Sequence, residues 1–167
     1  MLYTTHPSPL GELLLAGPER GALAFVSVPG QKGGATVGPD WRRDDAAFPA
    51  AAEQFDAYFA GGLAEFDLTP ATRGTPFRER VWAALDEIPY GTTVTYGQLA
   101  AAAGLDRRAV RAVGGAVGAN PLTVVHPCHR VVGADGSLTG YAGGLDRKRL
   151  LLTLEGVLPA GLPGAGS

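Results

Sequence analysis

The sequence predicts an α+β protein in two parts. We expect a small N-terminal α/β domain with an antiparallel sheet over residues 1–71, and a mainly helical C-terminal domain over residues 72–167. Three observations predict this division. Short apolar runs broken by Gly and Pro fill the first part, apolar residues at helical spacing dominate the second, and the net charge changes sign between them.

The first part contains two strand-like runs and one helix. Residues 10–16 and 22–28 are apolar and end at Gly-Pro or Pro-Gly, which is typical of short antiparallel strands. Residues 30–46 are polar and Gly-rich, so we expect a loop there. Over residues 48–60 a helix is predicted, because one face would carry a set of apolar side chains: Phe48, Ala52, Phe55 and Phe59.

A third strand and a linker complete this part. Phe66 and Leu68 alternate with polar neighbours, which predicts a strand. Residues 69–74 then form a linker, since Pro and Gly interrupt any regular pattern there.

The second part begins with helix signals. Thr75-Pro76 predicts an N-cap followed by proline at the first helical position, and apolar residues from Phe77 to Ile88 follow at helical spacing. Thr95 can cap a second helix over 96–103, which Gly104 ends, and Asp106 can cap a third over about 107–118. Two short helices joined by a tight Gly-containing turn predict a helix-turn-helix.

The third helix allows two interpretations. It begins with Arg107, Arg108 and Arg111 and continues as a run of Ala, Val and Gly. A recognition helix could use this smooth surface to lie close to another molecule, and a helix packed tightly on a second helix could use it equally well.

Charge separates the two parts more clearly than the total of −2 suggests. Residues 1–71 carry −5 and residues 72–167 carry +3, so only the second part suits a polyanionic partner. One Cys excludes an intramolecular disulfide, and with three His it offers no spacing typical of structural zinc. Without a long apolar run or a basic leader we expect no membrane segment and a cytoplasmic location.

A motif near residue 128 resembles a known signature. Asn120-Pro121 and the run Pro127-Cys128-His129-Arg130-Val131 resemble the active-site signature of the O6-alkylguanine-DNA alkyltransferases. Further matches follow in the same order over about residues 74–157: Gly74-Thr-Pro-Phe, Ile88-Pro-Tyr-Gly, Arg111-Ala-Val-Gly-Gly-Ala, Gly140-Tyr-Ala-Gly-Gly-Leu and Leu154-Glu-Gly. The first 70 residues are similar only in outline. The resemblance implies a ribonuclease-H-like support domain over 1–71 and a winged-helix-like helix-turn-helix in a DNA-binding and alkyl-transfer domain over 72–167.

The resemblance assigns chemistry to several residues. Cys128 is the nucleophile that takes an alkyl group from O6 of guanine irreversibly, which suits a soft thiolate attacking a saturated carbon. His129 acts on Cys128 through a bound water, and Glu155 orients the histidine, as in a hydrolase triad. Tyr96 supplies a proton near the purine N3, and Asn120 braces the turn that carries the cysteine.

It also implies how the base is delivered. The alkylated nucleotide rotates out of the duplex, Arg111 fills the gap in the base stack, and small residues such as Ala112 and Gly115 let the helix approach the minor groove. Contacts to the base come from Tyr141, Ala142 and the backbone of Val131, and the Gly-rich loop 133–144 covers the pocket. A simpler alternative makes Arg111 a phosphate contact.

We therefore expect a monomer that acts on double-stranded DNA bearing O6-alkylguanine, and also O4-alkylthymine, with no metal and no cofactor. Arg130 lies beside the nucleophile, so we expect a structural ion pair rather than a DNA contact. Two positions depart from the family: His126, where an aliphatic residue is common, and Ala142, where some members have Ser. No role follows for His126.

Two other functions remain to be weighed. A non-catalytic lesion-binding protein would share the architecture but lack the cysteine, so Cys128 argues against it. An unrelated Cys-His hydrolase would turn over and ignore DNA, which the Arg111 helix and the charge asymmetry disfavour.

Overall fold

The computed structural model describes residues 1–159, and these form two compact units. The first contains Met1–Arg73 and Pro121–Val125. The second contains Gly74–Asn120 and residues 126–159. The short return of residues 121–125 to the first unit is not foreseen by a division at residue 71.

The first unit is built on a four-stranded sheet of β1 (Leu2–His6), β2 (Leu13–Gly17), β4 (Phe25–Ser27) and β5 (Arg42–Arg43). The order across the sheet is β4-β2-β1-β5, and β3 (Ala22–Leu23) lies outside it. β1 pairs antiparallel with β2, and β2 antiparallel with β4, whereas β5 joins β1 in parallel. The antiparallel centre is confirmed, but β1 is not predicted and β5 falls in the predicted loop.

The predicted strand around Phe66 is wrong in position. The short strand β6 (Thr69–Pro70) lies in the predicted linker and pairs in parallel with β3. Phe66 instead packs its ring against Phe55 and Tyr58, with ring centroids about 5 Å apart. Aromatic packing therefore determines the position of this segment.

The first helix, α1 (Pro49–Phe59), is confirmed with a rotated face. Its buried residues are Ala51, Phe55 and Tyr58 rather than the face that includes Ala52 and Phe59. Phe48, which precedes the helix, is buried as predicted.

The second unit contains four helices among the described residues. They are α2 (Pro76–Asp86), α3 (Tyr96–Ala102), α4 (Val110–Gly118) and α5 (Leu145–Leu154). A parallel pair of short strands, β7 (Val94–Thr95) and β8 (Val131–Val132), joins the start of α3 to the segment that follows Cys128.

The predicted caps define the helix starts. Thr75 Oγ1 accepts a hydrogen bond from Arg78 N at 3.2 Å, and Thr95 with Gln98 forms a reciprocal capping box. Gly104, at φ +72°, ends α3, and Asp106 caps a 3₁₀ turn, Arg107–Ala109, that leads into α4. The predicted third helix therefore begins with a 3₁₀ turn. Sequence reasoning did not identify α5.

One face of α4 packs into the core of this unit. Val113, Ala116 and Val117 are buried, and α4 lies against α2 and α3. Trp82 links α2 to α4, because its indole Nε1 donates a hydrogen bond to Ala116 O at 2.8 Å. The described residues contain no helix long and apolar enough to cross a bilayer.

Candidate active site

Cys128 lies on a buried 3₁₀ turn, Cys128–Arg130, between the return segment and β8. Its backbone N–H donates to His126 O at 2.7 Å. Asn120, just after α4, donates from Nδ2 to the same carbonyl at 2.9 Å and lies 3.2 Å from the Cys128 sulfur. The turn and the end of α4 are therefore joined by one amide.

His129 is fully buried beside a carboxylate. Its Nε2 lies 2.7 Å from Glu155 Oε2. Glu155 follows α5 and also accepts two hydrogen bonds from Arg130, at 2.7 and 3.0 Å. The other ring nitrogen of His129, Nδ1, is buried and has no hydrogen-bond partner within residues 1–159.

Arg130 forms the buried ion pair expected from the sequence. Besides Glu155, it donates to Ile88 O at 2.6 Å, and its guanidinium lies over the Tyr90 ring. A bidentate pair of this kind holds the carboxylate in one orientation. Arg130 therefore sets the position from which Glu155 meets His129.

Burial sets the protonation of the nucleophile and its neighbour. It raises the pKa of the Cys128 thiol, against the opposing effects of Asn120, Lys148 and Tyr141. It lowers the pKa of His129, although the hydrogen bond and charge of Glu155 act in the other direction. The resting pair is thus a thiol beside a neutral imidazole, and the imidazole can accept a proton.

Lys148 is a site residue that sequence reasoning missed. It is fully buried on α5, where its ammonium group donates to Val131 O at 2.6 Å and to Thr139 O at 2.8 Å. Burial lowers its pKa, while the nearby sulfur acts to raise it. A positive charge here ties the loop after β8 to α5 and favours negative charge at the sulfur.

Two of the three expected base contacts, Tyr141 and Val131, pack in the same apolar cluster as Cys128. Tyr141 is half-buried against the core of the unit, and its side chain acts to lower the pKa of the Cys128 thiol, against the effect of burial. Ala142, next to it, is also half-buried. Val131 is buried and pairs with Val94 across β7 and β8.

Tyr96 and the α4 residues lie on neighbouring helices. Tyr96, the first residue of α3, packs partly against the core. Arg111 is exposed and shares a face of α4 with small residues, all exposed: Ala112, Gly115 and Gly118. A Cβ added at Gly115 or Gly118 would meet nothing within 4 Å, so internal packing does not require these glycines. The smooth face is therefore directed outward, and the buried face is the opposite one.

Fold and site together define a class: a two-part α+β protein whose helix-turn-helix unit contains a buried Cys–His–Glu arrangement. Residues 1–71 match the profile described as 6-O-methylguanine DNA methyltransferase, ribonuclease-like domain, and residues 76–157 match the DNA binding domain of the same description. The chain belongs to the 6-O-methylguanine DNA methyltransferase family.

Individual relatives agree. The methylated-DNA–protein-cysteine methyltransferase of Methanosarcina acetivorans is 49% identical over 156 residues, which cover 93% of this chain and 99% of the relative. The crystal structure of Mycobacterium tuberculosis OGT in complex with DNA has a TM-score of 0.88 at 47% identity and covers 93% of both chains. The O6-methylguanine-DNA methyltransferase of Pyrococcus kodakaraensis is more distant, with a TM-score of 0.66 and 26% identity.

No group of three or more His, Cys, Asp or Glu side chains suited to a metal ion occurs within residues 1–159.

Proposed function

We propose that this protein repairs DNA by direct reversal, transferring the alkyl group of O6-alkylguanine to its own Cys128 in a single turnover. The observation that carries the proposal is the position of the chain's one cysteine. It shares a short buried turn with a histidine whose ring is bound to a buried carboxylate. The assignments of individual residues below are part of the proposal.

The proton path begins at His129. Its neutral ring takes the Cys128 proton through a water at Nδ1, while Glu155, held by Arg130, stabilises the resulting imidazolium. The sulfur then attacks the alkyl carbon, so that a C–S bond forms and the bond from carbon to O6 breaks. The electron pair of the broken bond goes to guanine.

Guanine receives a proton as it leaves. The Tyr96 hydroxyl supplies it at the purine N3 and regains one from the site, so the net movement is of the thiol proton to guanine. Asn120 keeps the sulfur in place during attack through its 3.2 Å contact. The product thioether has no easy return to a thiol, so each protein acts once.

Delivery of the base is assigned to α4 and the loop over 133–144. The alkylated nucleotide leaves the duplex on its minor-groove side, and Arg111 occupies its place in the stack. Ala112 and Gly115 let the helix approach the groove, and Tyr141, Ala142 and the Val131 backbone contact the base. O4-alkylthymine is a second substrate on the same chemistry.

Domain roles and location complete the proposal. Residues 1–71 support the fold, and residues 72–167 bind DNA and carry the reaction. The protein acts as a monomer in the cytoplasm, where a free thiol stays reduced.

Intact-mass spectrometry tests the function. After incubation with an O6-methylguanine oligonucleotide we expect one added methylene per protein, mapped to Cys128. Cys128→Ala should bind the same DNA and gain no mass. Sustained turnover, or label that stays on the DNA, would contradict the proposal.

A further inference from the structure

We propose that His126 and Asp86 act as a positioning pair for Cys128, an inference that rests on the proposed function. His126 Nδ1 lies 2.6 Å from Asp86 Oδ1. The His126 ring is buried and nearly parallel to the Trp82 indole, with centroids 6.3 Å apart and planes at 20°. Both partners of the ring, Trp82 and Asp86, belong to α2.

The main chain of His126 connects this pair to the nucleophile. Its carbonyl accepts from Cys128 N at 2.7 Å and from Asn120 Nδ2 at 2.9 Å. The same Asn120 amide lies 3.2 Å from the Cys128 sulfur. A movement of the His126 peptide would therefore change both the backbone that carries the thiol and the amide that contacts it.

The position of Asp86 points to a requirement other than helix stability. Asp86 is the last residue of α2, where a carboxylate opposes the helix dipole. Its side chain is 48% exposed, whereas that of His126 is 8% exposed. The contact with His126 gives this carboxylate a buried partner on the segment that leads into Cys128.

The Trp82 contact extends the pair to α4. The indole that stacks on His126 also donates to Ala116 O, and α4 leads directly to Asn120. Contacts with α2 thus help to position both the end of α4 and the turn that carries Cys128. We infer that the pair fixes the distance between the Asn120 amide and the sulfur.

Single-turnover kinetics separate positioning from binding. At saturating O6-methylguanine duplex we expect His126→Leu to slow transfer about fivefold with unchanged DNA affinity, because small displacements at a reacting atom reduce rates steeply. Leucine fills the buried volume but cannot bind Asp86. His126→Asn, whose amide can donate to the same carboxylate, should recover the rate to within about twofold of the wild type.

A double-mutant cycle tests whether the two residues act as a unit. Asp86→Ala should slow transfer as much as His126→Leu, and the combined variant should be no slower than either one. His6→Leu is the matched control, since His6 and Asp56 form a pair of the same type at 2.7 Å in the first unit. Its transfer rate should equal that of the wild type.

The results separate this inference from the proposed function. Wild-type rates in both His126→Leu and Asp86→Ala would overturn it, as would a folded His126→Asn that is as slow as His126→Leu. Should His126→Leu fail to fold, Asp86→Ala decides, because Asp86 is half-exposed. Wild-type protein that transfers no methyl group at all would instead contradict the proposed function.

Discussion

At position 128 the chain holds a thiol enclosed by the turn that carries it. Only 7% of the residue is exposed, and burial raises its pKa. Burial lowers the pKa of its neighbour His129, which favours the neutral, basic form of the imidazole. In the proposed mechanism, proton transfer from Cys128 to His129 is therefore part of the reaction rather than a step completed before the substrate binds.

The pH profile of transfer should reflect His129. Its pKa lies below the ordinary value of 6.5, so the imidazole stays neutral above that pH and loses its basic form only as the pH falls further. We expect the single-turnover rate to be constant between about pH 7 and pH 8 and to decline only below 6.5. Rapid-quench assays with labelled methyl on the DNA measure this, and a rate that still rises between those two values would contradict it.

Loss of the buried carboxylate should unfold the second unit easily. The Glu155 side chain is fully buried and accepts from Arg130 twice, so Glu155→Ala leaves an unpaired buried guanidinium. We expect the free energy of unfolding to fall by about 3–5 kcal/mol in urea titrations. The comparison variant is Asp56→Ala, which removes an exposed carboxylate paired with His6 and should leave the unfolding midpoint nearly unchanged.

Residue identities near Cys128 could be predicted, and one important neighbour could not. The signature around Cys128 names His129, and the match at Leu154-Glu-Gly names Glu155. The buried Arg130 pair follows from its place beside the nucleophile. Lys148 was not predicted as a site residue, because in the sequence a lysine on an unrecognised helix cannot be distinguished from a surface cation. Only the fold shows that carbonyls of Val131 and Thr139 enclose its ammonium group.

At the scale of elements, α4 combines a buried apolar face with an outward face made of glycine and alanine. Glycine lowers helix stability, and the glycines at 115 and 118 relieve no internal crowding. The sequence left open whether this surface meets another helix or another molecule. In the structure Val113, Ala116 and Val117 face the core, whereas Gly115 is exposed and is not covered by any of the described residues.

Gly115→Ala should therefore separate stability from binding. We expect the free energy of unfolding to rise by about 0.5–1 kcal/mol, because alanine is the better helix former. DNA affinity should fall about tenfold, or about 1.4 kcal/mol, because the added methyl group holds the helix away from the groove. Urea titration and fluorescence anisotropy measure the two quantities.

Gly62 provides the control for this change. It is an exposed glycine of the first unit where a Cβ meets only Ala57 O at an ordinary 3.6 Å. Gly62→Ala should leave DNA affinity unaltered. Unchanged affinity in Gly115→Ala as well would remove α4 from the proposed DNA contact.

Helices that begin with a capping side chain were predictable, and α1, which has no such cap, was predicted from the spacing of its apolar residues. Thr75, Thr95 and Asp106 each accept a backbone N–H at the start of their element. By contrast α5 begins after Gly144 with no side-chain cap, and it follows a Gly-rich stretch. The strands β1 and β5 were missed because their stability comes from partners distant in sequence rather than from their own pattern.

Across the whole molecule, charge is distributed unevenly. The first 71 residues carry −5 and the remainder +3, so the total of −2 describes neither part. Binding to a polyanion should depend on local basic residues rather than on the net value.

Salt titrations test this distribution. Arg107 and Arg108 are exposed at the turn before α4. Replacing both with Gln should reduce the slope of log affinity against log salt by about 2, since each phosphate contact contributes about 0.9. Arg42→Gln with Arg43→Gln removes the same charge from the first unit and should leave the slope intact. Equal effects of the two double variants would contradict a DNA surface localised to the second unit.

The burial of Cys128 also affects how readily the thiol is oxidised before the protein meets alkylated DNA. Peroxide and disulfides react with accessible thiolates, and this sulfur is neither accessible nor readily ionised. A protein that can act only once loses its entire capacity if that sulfur is oxidised. Burial in the turn should thus protect the Cys128 sulfur from oxidation until the protein meets its substrate.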